Sequence, residues 1–178
     1  MRKRLGVMCS GNGTNFENIV RSCKDHEVVL MLYNTKGCGA VRRAIKLGIP
    51  SAHFNSSEED KMISEFTWAR VDYIILAGWM RILTEGFVNQ FHNRIINVHP
   101  SLLPKYKGLH AVEQAMESGD KETGCTVHYV NAELDGGEII KQARVPIFEN
   151  DTVRELTKRI QREEYRILPE VINKLSWN

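Results

Sequence analysis

Short apolar runs alternate with amphipathic segments along the 178-residue chain. Seven runs have the length of buried β-strands, and they cover residues 5–9, 28–33, 51–54, 73–77, 95–98, 126–130 and 138–145. Between them, apolar residues recur at the helical period in residues 15–23, 40–47, 58–69, 84–91 and 111–118. This alternation is typical of βαβ units around a largely parallel sheet. The pattern therefore predicts an α/β fold.

The last strands and the last helix complete this prediction. Only residues 131–137 separate the sixth and seventh strands, which favours an antiparallel pair and therefore a mixed sheet. A long helix is predicted at residues 152–175, with Asp151 or Thr152 as its N-terminal cap and a kink at Pro169. One face of that helix carries the apolar residues Leu156, Ile160, Ile167, Val171 and Leu175.

Length and composition indicate one globular domain. Hydrophobic residues make up 42% of the chain and charged residues 26%, so we expect residues 1–178 to form a single domain. The formal net charge is only +2 and both signs are interspersed, which argues against nucleic-acid and membrane partners. The apolar run behind the basic start is too short for a signal peptide, so we expect a cytoplasmic protein. A monomer and a homodimer both fit the sequence.

The cysteines do not form a metal-binding or redox pattern. Histidines follow two of them at ligand-like spacing, at positions 26 and 128, but two isolated pairs are a weak zinc signal. We therefore expect no metal, and we expect free buried thiols at Cys9, Cys23, Cys38 and Cys125.

The first strand runs into a glycine-containing loop, residues 10–15, that opens the first helix. Gly11 and Gly13 permit a tight turn, and the unpaired N–H groups at a helix start attract an anion such as phosphate. The loop is not a dinucleotide fingerprint, because Phe16 stands where the third glycine belongs. It is not a Walker loop, because no Gly-Lys-Ser/Thr follows. It predicts a monophosphate site, with an ordinary strand-to-helix turn as the alternative.

Asn97 and His99 stand two positions apart at the end of the fifth strand, so their side chains share one face of the sheet. Ligands of such sheets bind beyond the carboxyl ends of the strands. An amide donor beside an imidazole can stabilise an oxyanion and move a proton near neutral pH. The two residues are therefore candidates for catalysis, and a hydrogen-bonded structural histidine is the alternative.

Two further loops carry candidate residues. In residues 133–137, Asp135 precedes two glycines and offers a carboxylate that can orient His99, although Asp-Gly is also an ordinary turn dipeptide. The sequence alone does not bring Asp135 to His99. In residues 76–83, an apolar strand breaks at Gly78 into Trp79 and Met80. These side chains can wall a flat ring system, and core packing is the alternative.

Together these segments resemble the folate-dependent formyltransferase family. Four motifs agree in order, at residues 10–15, 77–83, 97–104 and 134–137, and the resemblance extends from the first strand to the last helix. It implies a Rossmann-like mixed sheet, mostly parallel, with helices on both faces. It also implies transfer of a formyl group from 10-formyltetrahydrofolate to the amine of glycinamide ribonucleotide (GAR) in purine synthesis, without a metal.

The resemblance also implies a role for individual residues. The catalytic residues would be Asn97, His99 and Asp135. The GAR-binding residues would be Gly13, Thr14, Asn15, Gln161 and Glu164. The folate-binding residues would be Met80, Arg81, Ile82, Leu83, Asn97, Asn131, Ala132, Glu133, Leu134 and Asp135. A nucleotide-phosphate half would cover about residues 1–100, and a folate-binding and catalytic half about residues 101–178.

One segment departs from the family pattern. Between Phe54 and Asp72 the chain is shorter than its relatives, and no arginine stands where they place one near the folate tail. The resemblance therefore leaves two possibilities for that tail: a contact with Lys61, or no contact with this segment.

Three other functions share parts of the pattern. Methionyl-tRNA formyltransferase and formyltetrahydrofolate deformylase share the Asn–His–Asp set. The first carries a C-terminal RNA-binding domain and the second an N-terminal regulatory domain, and we expect neither in a chain of this length. A non-catalytic phosphate-binding module would explain residues 11–15. It would leave Asn97, His99 and Asp135 together in one chain as a coincidence.

Overall fold

The computed structural model describes residues 2–174, which form two compact units that divide after Asn97, within the fifth strand. Across this described part, seven strands form one mixed sheet that is mostly parallel, with helices between the strands. The α/β fold class and the mixed sheet that the sequence predicted are therefore confirmed. No helix among residues 2–174 is both long enough and apolar enough to cross a membrane.

The first unit alternates strands and helices. In chain order these are β1 (Arg4–Cys9), α1 (Thr14–Ser22), β2 (Glu27–Tyr33), α2 (Gly39–Leu47), β3 (Ser51–His53), α3 (Glu59–Trp68), β4 (Tyr73–Leu76), α4 (Glu85–Gln90) and β5 (Ile95–His99), whose last two residues belong to the second unit. The strands pair in parallel in the order β3-β2-β1-β4-β5. This order is that of a Rossmann-type sheet.

β1 is a buried central strand. Leu5, Val7 and Met8 have no exposed surface, which agrees with an unbroken apolar run covered on both faces. Gly6 lets α3 pack closely, because a Cβ atom there would lie 2.5 Å from the ring of Phe66. Full burial of a side chain such as Phe66 contributes roughly 2–3 kcal/mol to stability. The glycine in this strand is therefore a packing requirement.

The second unit packs an antiparallel strand pair against a long helix. Its elements are α5 (Ala111–Glu117), β6 (Glu122–Tyr129), β7 (Ile139–Pro146) and α6 (Val153–Lys174). β6 and β7 are antiparallel, as predicted, and α6 packs against both. Leu175 lies outside the described residues. The rest of the predicted apolar face of α6 is buried, at Leu156, Ile160, Ile167 and Val171.

β6 begins at Glu122, not at the predicted Thr126. Glu122, Thr123 and Gly124 do not form an apolar run, so the hydrophobic pattern does not mark them as strand. Pairing with β7 overrides this local signal. Gly124 fits the pairing because a Cβ atom there would lie 1.9 Å from the carbonyl oxygen of Ala143. The close approach of two backbones therefore explains a residue that sequence patterns assign to a loop.

Thr152 caps α6. Its Oγ1 accepts a hydrogen bond from the backbone N–H of Glu155 at 3.2 Å, and the Glu155 carboxylate accepts one from the N–H of Thr152 at 2.9 Å. The two residues thus form a capping box. The other predicted cap, Asp151, instead accepts two hydrogen bonds from Arg159, at 2.7 and 2.8 Å. Helix α6 continues through Pro169 without interruption.

Candidate active site

The glycine loop between β1 and α1 depends on Gly13. This residue has a φ of 75°, and a Cβ atom there would lie 2.7 Å from the Cα of Ala40. Left-handed backbone and close contact both favour glycine at this position. Gly13 is the N-terminal cap residue of α1, and the predicted GAR-binding residues Thr14 and Asn15 form the start of the helix. The loop therefore presents the helix N-terminus, where anions are stabilised.

Helix α2 holds the same loop by hydrogen bonds to its backbone. The N–H of Ala40 donates to the carbonyl oxygen of Gly11 at 3.2 Å. The Nε of Arg43 donates to the carbonyl oxygen of Asn12 at 2.8 Å, and its guanidinium pairs with Glu17 on α1. Two backbone carbonyls of the loop are thus held by one helix. The loop is fixed by hydrogen bonds as well as by its glycines.

The segment after β4 leaves apolar side chains in solvent. Met80 is 63% exposed and Ile82 75%. The segment is tied to the glycine loop, because the N–H of Met80 donates to the Oγ of Ser10 at 2.9 Å. Arg81 is also exposed, and Leu83 is half-buried. Exposed apolar side chains on a fixed loop are typical of a surface that binds a ligand.

A polar cleft of about 360 Å³ lies beside this segment, within the first unit. Its walls combine neutral hydrogen-bonding groups with one cation, and they are formed by Ser10, Asn34, Thr35, Asn55, Ser56, Met80 and Arg81. The other candidate cation, Lys61, pairs with Glu58 at 2.6 Å and is not part of the lining. The cleft offers an arginine and several polar groups to a polar or anionic ligand.

In the second unit the structure brings His99 and Asp135 together. His99 is the last residue of β5, and its Nδ1 lies 3.4 Å from the Oδ2 of Asp135. Both side chains are buried, with 7% and 8% of their surface exposed. On the other side of the ring, the Nε2 lies 2.7 Å from the carbonyl oxygen of Tyr106. Because a carbonyl can only accept, this nitrogen carries a hydrogen and the Nδ1 faces the carboxylate.

His128 is a third member of this cluster, and sequence reasoning did not assign it to the site. Its Nε2 lies 3.6 Å from the Oδ1 of Asp135, and its side chain is 2% exposed. Burial raises the pKa of Asp135. The contact with His128, the hydrogen bond from the Gly108 N–H and the nearby histidine charges outweigh burial, so the pKa of Asp135 is lowered overall. In the sequence, His128 stands in the predicted strand just before the Asp135 loop, and its spacing from Cys125 gave only a weak zinc signal.

The loop between β6 and β7 has a constrained backbone around Asp135. Asp135 has a φ of 48°, a left-handed conformation that aspartate tolerates better than most residues. Gly137 is required, because a Cβ atom there would lie 1.7 Å from the carbonyl oxygen of Tyr129. The loop also contains the other predicted folate-binding residues Asn131, Ala132, Glu133 and Leu134, of which Leu134 is 47% exposed.

The remaining predicted residues lie on regular elements. Asn97 is half-buried on β5, two positions before His99. Gln161 and Glu164 lie one turn apart on α6, and Glu164 is 7% exposed. They belong to the second unit, whereas the other predicted GAR-binding residues, Gly13, Thr14 and Asn15, belong to the first.

The described cysteines and acidic side chains do not suggest a metal centre. Within residues 2–174, no three His, Cys, Asp and Glu side chains are grouped to hold a metal ion. The four cysteines are buried and free. Burial raises the pKa of Cys23 and of Cys125 to about 12, so both thiols stay protonated near neutral pH.

The fold and the site together define a class of protein. A parallel 3-2-1-4-5 strand order, a glycine loop at a helix start and a buried histidine–carboxylate pair at the end of a strand are features of α/β enzymes with acid–base chemistry. Comparison with known proteins gives the family. Residues 3–172 match the family described as Formyl transferase, and the chain belongs to that family.

Individual relatives are similar along nearly the whole chain. Phosphoribosylglycinamide formyltransferase of Haemophilus influenzae is 41% identical over 96% of this chain and 85% of its own length. The trifunctional purine biosynthetic protein adenosine-3 of Chironomus tentans is 42% identical over 96% of this chain, which spans only 13% of that protein. The crystal structure of glycinamide ribonucleotide transformylase 1 from Symbiobacterium toebii matches with a TM-score of 0.94 at 38% identity, covering 97% of this chain and 86% of that one.

Proposed function

We propose that this protein transfers the formyl group of 10-formyltetrahydrofolate to the amine of GAR in purine biosynthesis. The products are formylglycinamide ribonucleotide and tetrahydrofolate. The observation that carries the proposal is the buried His99–Asp135 pair in a chain of the formyl transferase family. The names of the similar proteins support GAR as the acceptor, since two of them are GAR formyltransferases.

The reaction is a direct transfer between the two substrates. The neutral amine of GAR attacks the formyl carbon, a carbon–nitrogen bond forms and the formyl oxygen becomes an oxyanion. The Asn97 amide and an N–H of His99 donate hydrogen bonds to that oxygen. The amine then loses a proton, the folate nitrogen gains one, and the bond between that nitrogen and the formyl carbon breaks. No covalent bond to the enzyme is formed.

The contacts of His99 and Asp135 indicate a different role for each residue. The short hydrogen bond to the Tyr106 carbonyl, 2.7 Å, fixes the Nε2 of His99. The Nδ1 contact with Asp135 is longer, 3.4 Å, so this edge of the ring is the one left to donate to the substrate. A lowered pKa keeps Asp135 ionised near neutral pH. The carboxylate can therefore pair with a charged His99 and relay the amine proton through water.

The two substrates are bound by groups with matching chemistry. Gly13, Thr14 and Asn15 hold the phosphate of GAR at the start of α1, where the N–H groups and the helix dipole favour an anion. Gln161 and Glu164 contact the rest of GAR. The pteridine ring of the folate is held by two loops and one strand residue, namely Met80, Arg81, Ile82, Leu83, Asn97, Asn131, Ala132, Glu133, Leu134 and Asp135.

Exposed side chains support this folate assignment. Met80 and Ile82 offer apolar surface, and Arg81 lines the polar cleft next to them. We propose that the pteridine covers the apolar side chains. The protein works without a metal, as a monomer or homodimer in the cytoplasm, and its 178 residues act as one formyltransferase domain. About residues 1–100 form the nucleotide-phosphate half, and about residues 101–178 the folate-binding and catalytic half.

Substrate dependence tests this proposal. Folate absorbance is followed with the wild-type protein and 10-formyltetrahydrofolate, with GAR, without GAR, and with methionyl-tRNA in place of GAR. We expect loss of the formyl group only with GAR, together with formylated GAR as the product. Equal loss without GAR would show a hydrolase instead. Binding of GAR without any turnover would show a non-catalytic module.

A further inference from the structure

The loop that follows His99 returns to the same histidine. It leaves β5 at Pro100 and brings the carbonyl oxygen of Tyr106 within 2.7 Å of the His99 Nε2. Two residues later, the N–H of Gly108 donates to the Oδ2 of Asp135 at 2.8 Å. The backbone of this loop therefore contacts both members of the His99–Asp135 pair. Any shift of Tyr106 changes the environment of the imidazole directly.

Tyr106 adopts a backbone conformation that needs support. Its φ is 55°, in the left-handed region, which is strained for a residue other than glycine. A bulky residue keeps such a conformation only when its surroundings determine it. The phenol of Tyr106 is held in place, because its hydroxyl donates to the Oδ2 of Asp120 at 2.7 Å. Asp120 therefore stabilises the strained residue through its side chain.

Other contacts fix the base of the loop. The fully buried Thr126 donates its hydroxyl to the carbonyl oxygen of Ser101 at 2.7 Å and accepts from the N–H of Leu103 at 3.1 Å. The Oγ of Ser101 donates to the carbonyl oxygen of Lys105 at 2.6 Å. These hydrogen bonds thus fix the backbone from Ser101 to Lys105, the residue before Tyr106. The Tyr106–Asp120 bond sets the orientation of the next peptide group.

We infer that Tyr106 is a positioning residue for His99, which rests on the proposed role of His99 in formyl transfer. Its carbonyl holds the Nε2 N–H, so that the Nδ1 edge faces Asp135 and the substrate. The bond between its phenol and Asp120 keeps that carbonyl in place. The alternative is that Tyr106 and Asp120 only close a surface loop.

Lys105 provides a matched control. Its Nζ donates to the same oxygen, the Oδ2 of Asp120, at 2.7 Å. Lys105→Met and Tyr106→Phe therefore each remove one hydrogen bond to a single carboxylate. Only Tyr106 carries the carbonyl that His99 contacts. A purely structural role for the Asp120 carboxylate predicts similar effects for the two variants, whereas a positioning role predicts an effect for Tyr106→Phe alone.

Steady-state kinetics separate the two roles. For Tyr106→Phe we expect kcat to fall about tenfold, because a small misplacement of a reacting group is costly. KM for both substrates should stay within about twofold, since the predicted binding residues are untouched. Lys105→Met should match the wild type in both parameters. Equal kcat values for Tyr106→Phe and the wild type, or equal losses in the two variants, would overturn the inference.

A second measurement does not depend on activity. The Nε2 proton of His99 is followed by ¹⁵N–¹H NMR of the imidazoles and assigned with a His99→Asn protein. We expect a slowly exchanging signal in the wild type and in Lys105→Met, and faster exchange in Tyr106→Phe. Asp120→Asn should also speed exchange, which provides a second test if Tyr106→Phe does not fold. An unchanged signal in Tyr106→Phe, or in Asp120→Asn where Tyr106→Phe does not fold, would overturn the inference. Absence of formyl transfer in the wild type would contradict the proposed function separately.

Discussion

Asp135 is the residue on which two histidines converge. Its Oδ2 faces the Nδ1 of His99 at 3.4 Å, and its Oδ1 faces the Nε2 of His128 at 3.6 Å. A third group, the N–H of Gly108, donates to the Oδ2. A buried carboxylate is costly unless it is paired and hydrogen-bonded. These contacts offset that cost and keep Asp135 ionised.

Replacing His128 tests whether these contacts keep the pKa of Asp135 low. In His128→Leu, a polar contact that lowers the pKa of Asp135 is lost, while burial, which raises that pKa, remains. The pKa of Asp135 should therefore rise. Because the proposed reaction needs the ionised carboxylate, activity is lost as pH falls through this pKa. We expect the acidic limb of the kcat–pH profile to move to higher pH in the variant.

The control for this prediction is His92→Leu, which removes an exposed histidine outside the cluster. Its acidic limb should coincide with that of the wild type, and urea unfolding should show that both variants are folded. An acidic limb that stays in place, or moves to lower pH, in His128→Leu would contradict the account of Asp135.

Single residues were predictable to different degrees. Asn97 and His99 could be proposed together because the period of a strand places positions i and i+2 on one face. Asp135 could be named as a candidate carboxylate from its own loop, but its pairing with His99 rested on the family resemblance, since no local pattern brings a loop residue to a strand end. His128 was missed because its role depends on the β6–β7 pairing, which places it beside the Asp135 loop. Tyr106 contributes a backbone carbonyl, which no side-chain pattern reveals.

Among the secondary-structure elements, helix α2 holds the glycine loop, which is the proposed binding site of the GAR phosphate. Glu17 lies in the first turn of α1 and pairs with two arginines, Arg21 on the same helix and Arg43 on α2. Only Arg43 also donates to the loop, at the carbonyl oxygen of Asn12. Both arginines therefore pair with Glu17, but only Arg43 holds the backbone of the loop.

Arg43→Gln should weaken GAR binding. The variant loses the hydrogen bond from Arg43 to the Asn12 carbonyl, so the loop is no longer held in place. We expect KM for GAR to rise roughly tenfold, because a hydrogen bond from a charged group contributes about that factor to an equilibrium constant. KM for the folate and kcat should change little. Arg21→Gln removes the other cation beside Glu17 and should leave KM for GAR within about twofold of the wild type. Equal KM values in the two variants, or a change only in kcat, would argue against a loop held by α2.

Most elements were predictable because their apolar periods are clear. The start of β6 was not, since Glu122, Thr123 and Gly124 form a strand only through their pairing with β7. The sequence predicted either Asp151 or Thr152 as the N-terminal cap of α6. In the structure Thr152 is the cap, and the Asp151 carboxylate instead bonds to Arg159. Local rules thus predicted where elements lie, and tertiary contacts decided how they end.

In the whole molecule, each compact unit carries its own candidate residues. The glycine loop and the Met80–Arg81 segment belong to the first unit, and the His99–Asp135 cluster belongs to the second. The sequence predicted these segments from their positions at strand ends, and the family match covers residues 3–172. The order of the strands was not predicted, because a hydrophobic pattern does not specify which strands are neighbours.

Whether the His99–Asp135 pair carries the chemistry is tested most directly by comparing formyl transfer to GAR by the wild type, His99→Ala and Asp135→Ala. Formylated GAR is quantified under saturating substrates, with the exposed His92→Ala as control. We expect both site variants to lose on the order of a hundredfold or more in kcat, and the control to retain full activity. Undiminished transfer by His99→Ala and Asp135→Ala would contradict the assignment of the chemistry to this pair.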